Sequence, residues 1–249
     1  MKFSYSAVWN DAVAMLKAHG SLIAALAGVF LLLPTLLTGH FLPQPTPEGS
    51  DAITPLAQYL TDNWVWLLLG NIVNMVGLVA IYLLLLGNRG RTVGGAIAAA
   101  LPIVPFYFLM SMITNVAIGF GLVLFILPGL YLLGRLFLAS PVLVAERPSD
   151  PIGAIRGSWG LTRGHGWALA GLIVIIFLVG MLISFVVTAI VGSLLLILGG
   201  QDGVGGLLVL ILSSALTAAL YTILAVVVAA AYRALKGAPA SAVDLAKGI

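Results

Sequence analysis

Cysteine is absent from the 249-residue sequence, and charged side chains are scarce. Without cysteine the chain can form no disulfide, no thiolate nucleophile and no cysteine-ligated metal centre. Asp, Glu, Lys and Arg together make up 8% of the residues, whereas a soluble domain uses about 25%. Such a chain cannot cover a water-facing surface with charge. The composition therefore excludes an ordinary soluble domain.

Hydrophobic residues make up 61% of the chain, and its mean hydropathy is +1.18. They form long continuous runs, and a run of about 20 apolar residues suffices for one membrane-spanning helix. We therefore predict an all-α polytopic membrane helix bundle, with residues 1–249 as a single membrane domain. Six spans are predicted, over about residues 21–41, 64–86, 102–119, 122–144, 167–198 and 207–232, with interfacial amphipathic helices over 4–18 and 151–163.

Glycine and proline predict where the spans turn or bend. The apolar run over 102–144 is about twice the length of one span, and Gly119-Phe120-Gly121 near its middle predicts a hairpin turn. Pro128-Gly129 predicts a kink inside the fourth span, and Pro34 an interruption of the first.

The charged residues divide between the two sides of the predicted bundle. All 11 basic residues fall on one side, and the opposite side carries acids alone. Because Lys and Arg mark the cytoplasmic side, both chain ends are predicted to be cytoplasmic. The basic residues are Lys2, Lys17, Arg89, Arg91, Arg135, Arg147, Arg156, Arg163, Arg233, Lys236 and Lys247, and the opposing acids are Glu48, Asp51, Asp62 and Asp202.

A faint internal repeat precedes two of the spans. Lys17-Ala18-His19-Gly20 before the first span resembles Arg163-Gly164-His165-Gly166 before the fifth, and residues 92–101 before the third are a weaker candidate copy. A real repeat would make the protein three units, each a short helix followed by a hairpin. The alternative is the ordinary composition of interfacial segments.

The polar segment between the fourth and fifth spans contains residues that are typical of the two ends of a helix. Asp150 suits its N-cap, Pro151 its first position, and Gly164 a left-handed stop. This helix is predicted over 151–163.

Two arginines and a tryptophan share one face of that predicted helix. Arg156 precedes Trp159 by three residues and Arg163 follows it by four, so both guanidinium groups could flank the indole. Apolar and cationic groups on one face favour a helix at the lipid surface, with the arginines reaching for phosphates. The alternative is that the arginines pair with Glu146 and Asp150 and close the bundle.

The same region resembles a known family. The resemblance rests on Leu127-Pro128-Gly129, Arg135, Pro141, Glu146, the run Ala154 to Trp159, and Leu161-Thr162-Arg163-Gly164 with Trp167. This pattern is similar to that of bacterial membrane proteins named for the membrane domain of glycerophosphoryl diester phosphodiesterase, which include stand-alone relatives of unknown function. The resemblance implies an inner-membrane module, fused in some relatives to a soluble phosphodiesterase barrel. It implies no catalytic residues for the module itself.

Catalysis is not predicted from the residues. His19, His40 and His165 have no acid at metal-ligand spacing, and no serine lies in a nucleophile-elbow context. We therefore expect no enzyme activity, no metal site and no cofactor.

Polar residues inside the predicted spans are few. No Asp or Glu falls within a span, which disfavours an ion-coupled transporter, and Arg135 is expected to reach the membrane boundary or to bind carbonyls and headgroups. Asn71, Asn74 and Asn115 are expected to form interhelical hydrogen bonds, with a hydrated path as the alternative.

Two functions follow as hypotheses. The first is a non-enzymatic module that binds or organises anionic phospholipid, or docks a partner, through Arg135, Arg156, Trp159 and Arg163. The second is a transporter or permease for a small solute or amphiphile, using the asparagines. The expected partner is membrane lipid, with a protein partner or a second copy of the chain as further options, and no nucleic acid.

Overall fold

The computed structural model describes residues 4–42, 53–87, 92–148, 150–201 and 203–237. Within these ranges the chain forms helices and no strand. Six helical stretches are long and apolar enough to cross a membrane, so the predicted all-α multi-pass bundle is confirmed. They are α1 (Tyr5–Phe41), α2 (Ile53–Leu86), α4 (Val104–Leu124), α5 with α6 (Ile126–Leu136 and Ala139–Glu146), α8 (Gly166–Gly199) and α9 (Val204–Lys236). The two short helices are α3 (Val93–Ala100) and α7 (Pro151–Leu161).

Seven charged residues of the predicted segregation lie outside the described residues: Lys2, Glu48, Asp51, Arg89, Arg91, Asp202 and Lys247.

Helix α1 is continuous from Tyr5 to Phe41, so the separate interfacial helix predicted over 4–18 is not present. No proline interrupts its first turns, and the helix continues through Gly20.

Pro34 does not break α1 either. Its ring cannot tolerate a regular hydrogen-bonded carbonyl four residues earlier, at Phe30. The chain accommodates it with a π-helical turn over Gly28–Leu32, which is a recurrent way to absorb such a defect inside a helix.

Short helices precede α4 and α8, as a repeat would require, but none precedes α1 as a separate element. Helix α3 begins with the Thr92 side chain accepting a hydrogen bond from the Gly95 amide, and α7 begins with Asp150 accepting from Gly153. The repeat therefore stays a prediction for the second and third hairpins only.

The turn of the central hairpin lies at Phe125, not at Gly119-Phe120-Gly121. Phe125 has extended backbone angles (φ −157°, ψ 140°) between α4 and α5. The glycine segment serves helix packing instead, because a Cβ on Gly121 would lie 3.0 Å from the Cα of Gly129. Pro128 lies in the first turn of α5, where its missing amide costs nothing.

The bend of the fourth span lies at Phe137 and Leu138, not at Pro128-Gly129. Helix α5 ends at Leu136 and α6 begins at Ala139, with Leu138 at φ −84° and ψ 2°. Pro141 explains the position, because it has no amide to donate to the carbonyl of Phe137. The bend divides the span where it meets α7.

The tightest packing lies at the end of the bundle that holds Tyr5 and Lys236. Residues 79–83 of α2 and 225–232 of α9 are buried there. Among the described residues, Arg233 pairs with Asp11 at 3.6 Å and Lys236 with Glu146 at 2.6 Å at this end. Toward the other end, α8 and the first half of α9 leave most large apolar side chains exposed, as lipid-facing helices do.

Candidate functional site

Arg135 lies at the C-terminal end of α5 and is only 4% exposed. Its guanidinium carbon is 4.3 Å from the centroid of the Trp159 ring and 5.9 Å from that of Tyr131. Tyr131 also contacts Trp167, with ring centroids 5.6 Å apart. We call these four residues, Tyr131, Arg135, Trp159 and Trp167, the Arg135 cluster. The cation therefore lies against aromatic rings of α5 and α7, and Tyr131 connects them to Trp167 of α8.

Two glycines make the approach of α5 to α8 possible. A Cβ on Gly134 would lie 2.8 Å from the backbone nitrogen of Ala170 and closer still to the carbonyl oxygen of Gly166. A Cβ on Gly166 would lie 2.7 Å from Cδ of Arg135. The Arg135 side chain therefore runs across the bare backbone at the start of α8.

The backbone of Arg135 ties α5 to α7. Its carbonyl belongs to the last turn of α5, where carbonyls have no partner within the helix. The hydroxyl of Ser158 donates to this carbonyl at 2.8 Å. The single proton of the Thr162 hydroxyl is shared between the same carbonyl, at 3.2 Å, and the Ser158 carbonyl, at 2.7 Å. Both side chains are fully buried. These bonds fix α7, and with it Trp159, over the guanidinium.

Removal of both hydroxyls, in Ser158→Ala with Thr162→Val, should lower the free energy of unfolding by about 1–3 kcal/mol, because a buried carbonyl loses its donors. The measurement is thermal unfolding of the detergent-purified protein. Ser193→Ala is the matched control, since Ser193 is exposed and its hydroxyl donates to the Ile190 carbonyl of its own helix. Equal stability of the double variant and the control would show that the two bonds do not hold α7.

The charge of Arg135 is unbalanced within the part of the chain that the structure describes. Its Nε is buried and has no hydrogen-bond acceptor, and no carboxylate there forms an ion pair with it. Glu146 is already engaged, accepting from Lys236 at 2.6 Å and from the Tyr232 hydroxyl at 2.9 Å. A buried cation is costly unless paired, and stacking on an indole offsets only part of that cost. The Arg135 guanidinium is therefore chemically suited to a negatively charged partner.

The other two predicted arginines lie at the rim of the cluster. Arg156 and Arg163 are exposed, and neither forms an ion pair with Glu146 or Asp150. The predicted flanking of Trp159 by both arginines is not seen, and the guanidinium that stacks on that ring is that of Arg135. Helix α7 ends at Leu161, so Arg163 lies in the following turn.

The predicted helix signals around this turn are confirmed. Asp150 caps α7, Pro151 occupies its first turn, and Gly164 takes the left-handed conformation at φ +81°. The exposed fractions of Trp159 and Trp167 are 41% and 55%. Exposed indoles of this kind are typical of the membrane–water interface.

Sequence reasoning missed four residues of this site, namely Tyr131, Ser158, Thr162 and Trp167. Two spacings could have indicated the first three. Tyr131 lies four residues before Arg135, and Ser158 four before Thr162, so each pair shares a helix face. Neither spacing reveals which helix the pair faces.

The three predicted asparagines lie around one cavity of about 620 Å³, which we call the asparagine cavity. Asn71 and Asn74 of α2 and Asn115 of α4 line it, and Asn74 donates at 2.9 Å to the Gly70 carbonyl of its own helix. Among the described residues, none of the three bonds to a neighbouring helix, in contrast to the predicted interhelical contacts.

Residues 48–235, which include the Arg135 cluster and every residue that lines the asparagine cavity except Leu31 and Thr35, match a family described as a domain of unknown function, DUF7847. The chain belongs to this family. The DUF7847 match spans most of the chain, and it provides no link to the glycerophosphoryl diester phosphodiesterase membrane domain. No solved structure matches the chain. Within the described ranges of this DUF7847 protein, no three His, Asp or Glu side chains come together as metal ligands would.

Proposed function

We propose that this protein is a non-enzymatic membrane module that binds an anionic phospholipid headgroup at the Arg135 cluster, or docks a partner there. The observation that supports it is the buried guanidinium of Arg135, whose Nε–H has no acceptor and whose charge has no carboxylate partner in the described chain. Arginine binds phosphate through directional, charge-assisted hydrogen bonds, and a phosphate would complete the missing contacts.

The surroundings of the cluster favour a lipid as the source of that phosphate. Exposed Trp159 and Trp167 suit the headgroup region, where an indole can place its body in lipid and its N–H in water. Arg156 and Arg163 add two exposed positive charges at the rim. Each basic residue near an anionic membrane surface contributes roughly 1 kcal/mol of attraction.

Sidedness and location are part of the same proposal. Excess Lys and Arg near the chain ends favour a cytoplasmic position for both termini, and for the cluster. The bacterial inner membrane, and kinship with the membrane domain of glycerophosphoryl diester phosphodiesterase, rest on the resemblance of residues 127–167 alone.

The proposal predicts that a copurifying anionic phospholipid is lost from the Arg156→Glu, Arg163→Glu variant. Each reversal replaces attraction by repulsion, so we expect about a tenfold or greater loss of bound lipid. Native mass spectrometry of the detergent-purified protein measures bound lipid and oligomeric state together. Thermal unfolding should be unchanged, because both side chains are exposed.

The matched control reverses two charges outside the cluster, in Lys17→Glu with Arg147→Glu, and should retain the lipid. Full retention of lipid by the Arg156→Glu, Arg163→Glu variant would contradict the proposed function. Lipid loss in both double variants would indicate a general effect of net charge rather than a site.

A transporter for a small solute or amphiphile is the second candidate function. The asparagine cavity favours it, because a mid-membrane cavity with polar groups is what a cargo would need. It requires first that the cavity bind a molecule.

A further inference from the structure

The asparagine cavity is separate from the Arg135 cluster. Helix α5 lines the cavity with Leu133 and Leu136, while none of the four cluster residues lines it. Helices α1, α2, α4, α6 and α9 supply the remaining walls. A volume of about 620 Å³ falls within the range of small-molecule sites.

Two amide side chains in this cavity lack partners. Asn71 and Asn115 line it and are exposed, and neither makes a hydrogen bond among the described residues. Each lies near the middle of its membrane-spanning helix, α2 or α4. Unsatisfied amides at the depth of the hydrocarbon are costly. A bound molecule with a polar group would satisfy them.

The lining indicates which chemistry that molecule has. Among the described residues, no Asp, Glu, Lys, Arg or His side chain lines the cavity, so a charged group entering it would lose its hydration without gaining a counter-charge from them. Amides, hydroxyls and phenols both donate and accept hydrogen bonds, which suits an uncharged hydroxyl or amide. The remaining lining is mostly apolar, including Leu31, Met75, Leu78 and Leu224, and suits a hydrocarbon chain.

Three exposed residues that line the cavity place its opening near the middle of the membrane-spanning helices. Asn71, Asn115 and Tyr221 are exposed, and each is near the middle of a span. Toward the tightly packed end, the cavity is closed by buried Tyr107, whose hydroxyl is 3.3 Å from that of Ser140. A molecule dissolved in the bilayer can therefore reach the amides without crossing the headgroups.

We propose that the asparagine cavity binds an uncharged amphiphile of the bilayer, a molecule with a hydroxyl or amide group on an apolar chain. Asn71 and Asn115 receive the polar group, and the apolar lining receives the chain. This goes beyond the proposed function, because the ligand is neutral and the site does not include Arg135.

The test uses a diacylglycerol with a photoreactive diazirine in one acyl chain, and a phosphatidic acid with the same chains as the charged probe. The full chain is reconstituted in phosphatidylcholine vesicles, labelled by light and mapped by mass spectrometry. The neutral probe should label α2 and α4 and be displaced by unlabelled diacylglycerol. Labelling should fall about tenfold in Asn71→Leu with Asn115→Leu, because two hydrogen bonds are lost.

Asn63→Leu is the matched control, since Asn63 lies on α2 outside the cavity and donates to the Tyr59 carbonyl of its own helix. Ser111→Trp, which fills the cavity and retains both amides, should reduce labelling to a similar extent. Undiminished labelling in the asparagine variant and in Ser111→Trp would overturn the proposal, as would preferred labelling by phosphatidic acid.

The Arg156→Glu, Arg163→Glu variant should keep its labelling by the neutral probe. This separates the two proposals. Loss of copurified anionic lipid tests the Arg135 cluster, and loss of neutral labelling tests the cavity.

Discussion

Arg135→Met should release the copurifying anionic phospholipid almost completely. A guanidinium can donate two charge-assisted hydrogen bonds to one phosphate, each worth about 1.5–3 kcal/mol. Their loss corresponds to a reduction in affinity on the order of hundredfold or more. Methionine keeps much of the side-chain length and the contact with Trp159, so packing changes little. Native mass spectrometry reports the lipid, as for the rim variant.

The stability of the same variant separates a binding role from a structural one. In lipid-free detergent, Arg135→Met removes a buried cation that has no carboxylate partner in the described chain, so its unfolding temperature should be unchanged or higher. If Arg135 serves only to hold α5 against α7 through its contact with the Trp159 ring, the unfolding temperature of Arg135→Met falls and the variant retains the lipid. Arg135→Lys retains the charge without the planar donors, and should keep part of the lipid.

Gly134→Ala should cost about 3 kcal/mol or more of stability, at the upper end of overpacking effects. The added methyl group would meet backbone atoms on α8, namely the carbonyl of Gly166 and the amide nitrogen of Ala170. Helix backbone atoms cannot relieve a clash by changing rotamer, as a flexible side chain can, so the two helices must move apart. Thermal unfolding and the fraction of monodisperse protein in size-exclusion chromatography measure the effect.

Gly171→Ala provides the control for that substitution. Gly171 lies on α8, and a Cβ there would meet nothing within 4 Å. The change should be neutral or stabilising by up to about 1 kcal/mol, because alanine favours the helix. Equal behaviour of the two alanine variants would show that α5 and α8 do not cross as closely as the structure has them.

The membrane bundle could be predicted because lipid imposes a simple requirement on each span. Long apolar runs of sufficient length must be helical, and six such helices are present. Helices α1 and α2 begin at Tyr5 and Ile53, well before the predicted starts of the first two spans. The start of α7 and the left-handed turn after it could also be predicted from the sequence, since Asp150, Pro151 and Gly164 act through local backbone geometry. Such signals depend only on residues within a few positions of one another.

The breaks within the spans were harder to locate because glycine and proline have more than one role. Gly121 serves the close contact with Gly129, and the chain turns four residues later at Phe125. Pro128 begins a helix, while Pro141 determines where the fourth span bends. Position relative to a helix start decides the effect of a proline, and that start depends on tertiary packing.

The partner of Trp159 could not be predicted for a different reason. Local spacing offered Arg156 and Arg163, but the ring contacts Arg135, which lies 24 positions earlier on another helix. That contact follows from the bend at Leu138 and from the bare glycines of the α5–α8 crossing. Sequence periodicity identifies which residues share a face of one helix, but it does not indicate which other helix packs against that face.

The unequal lengths of the membrane-crossing helices have a consequence for the surrounding bilayer. The two helical stretches of the central hairpin have 21 residues each, whereas the other four have 33 to 37. At 1.5 Å per residue, 21 residues extend about 32 Å, close to the hydrocarbon thickness, and the longer helices reach about 50–55 Å. The long helices must tilt or extend beyond the hydrocarbon, while the hairpin cannot follow a much thicker membrane. The hairpin therefore determines the bilayer thickness that this protein fits, and a thicker bilayer would thin beside α4, α5 and α6.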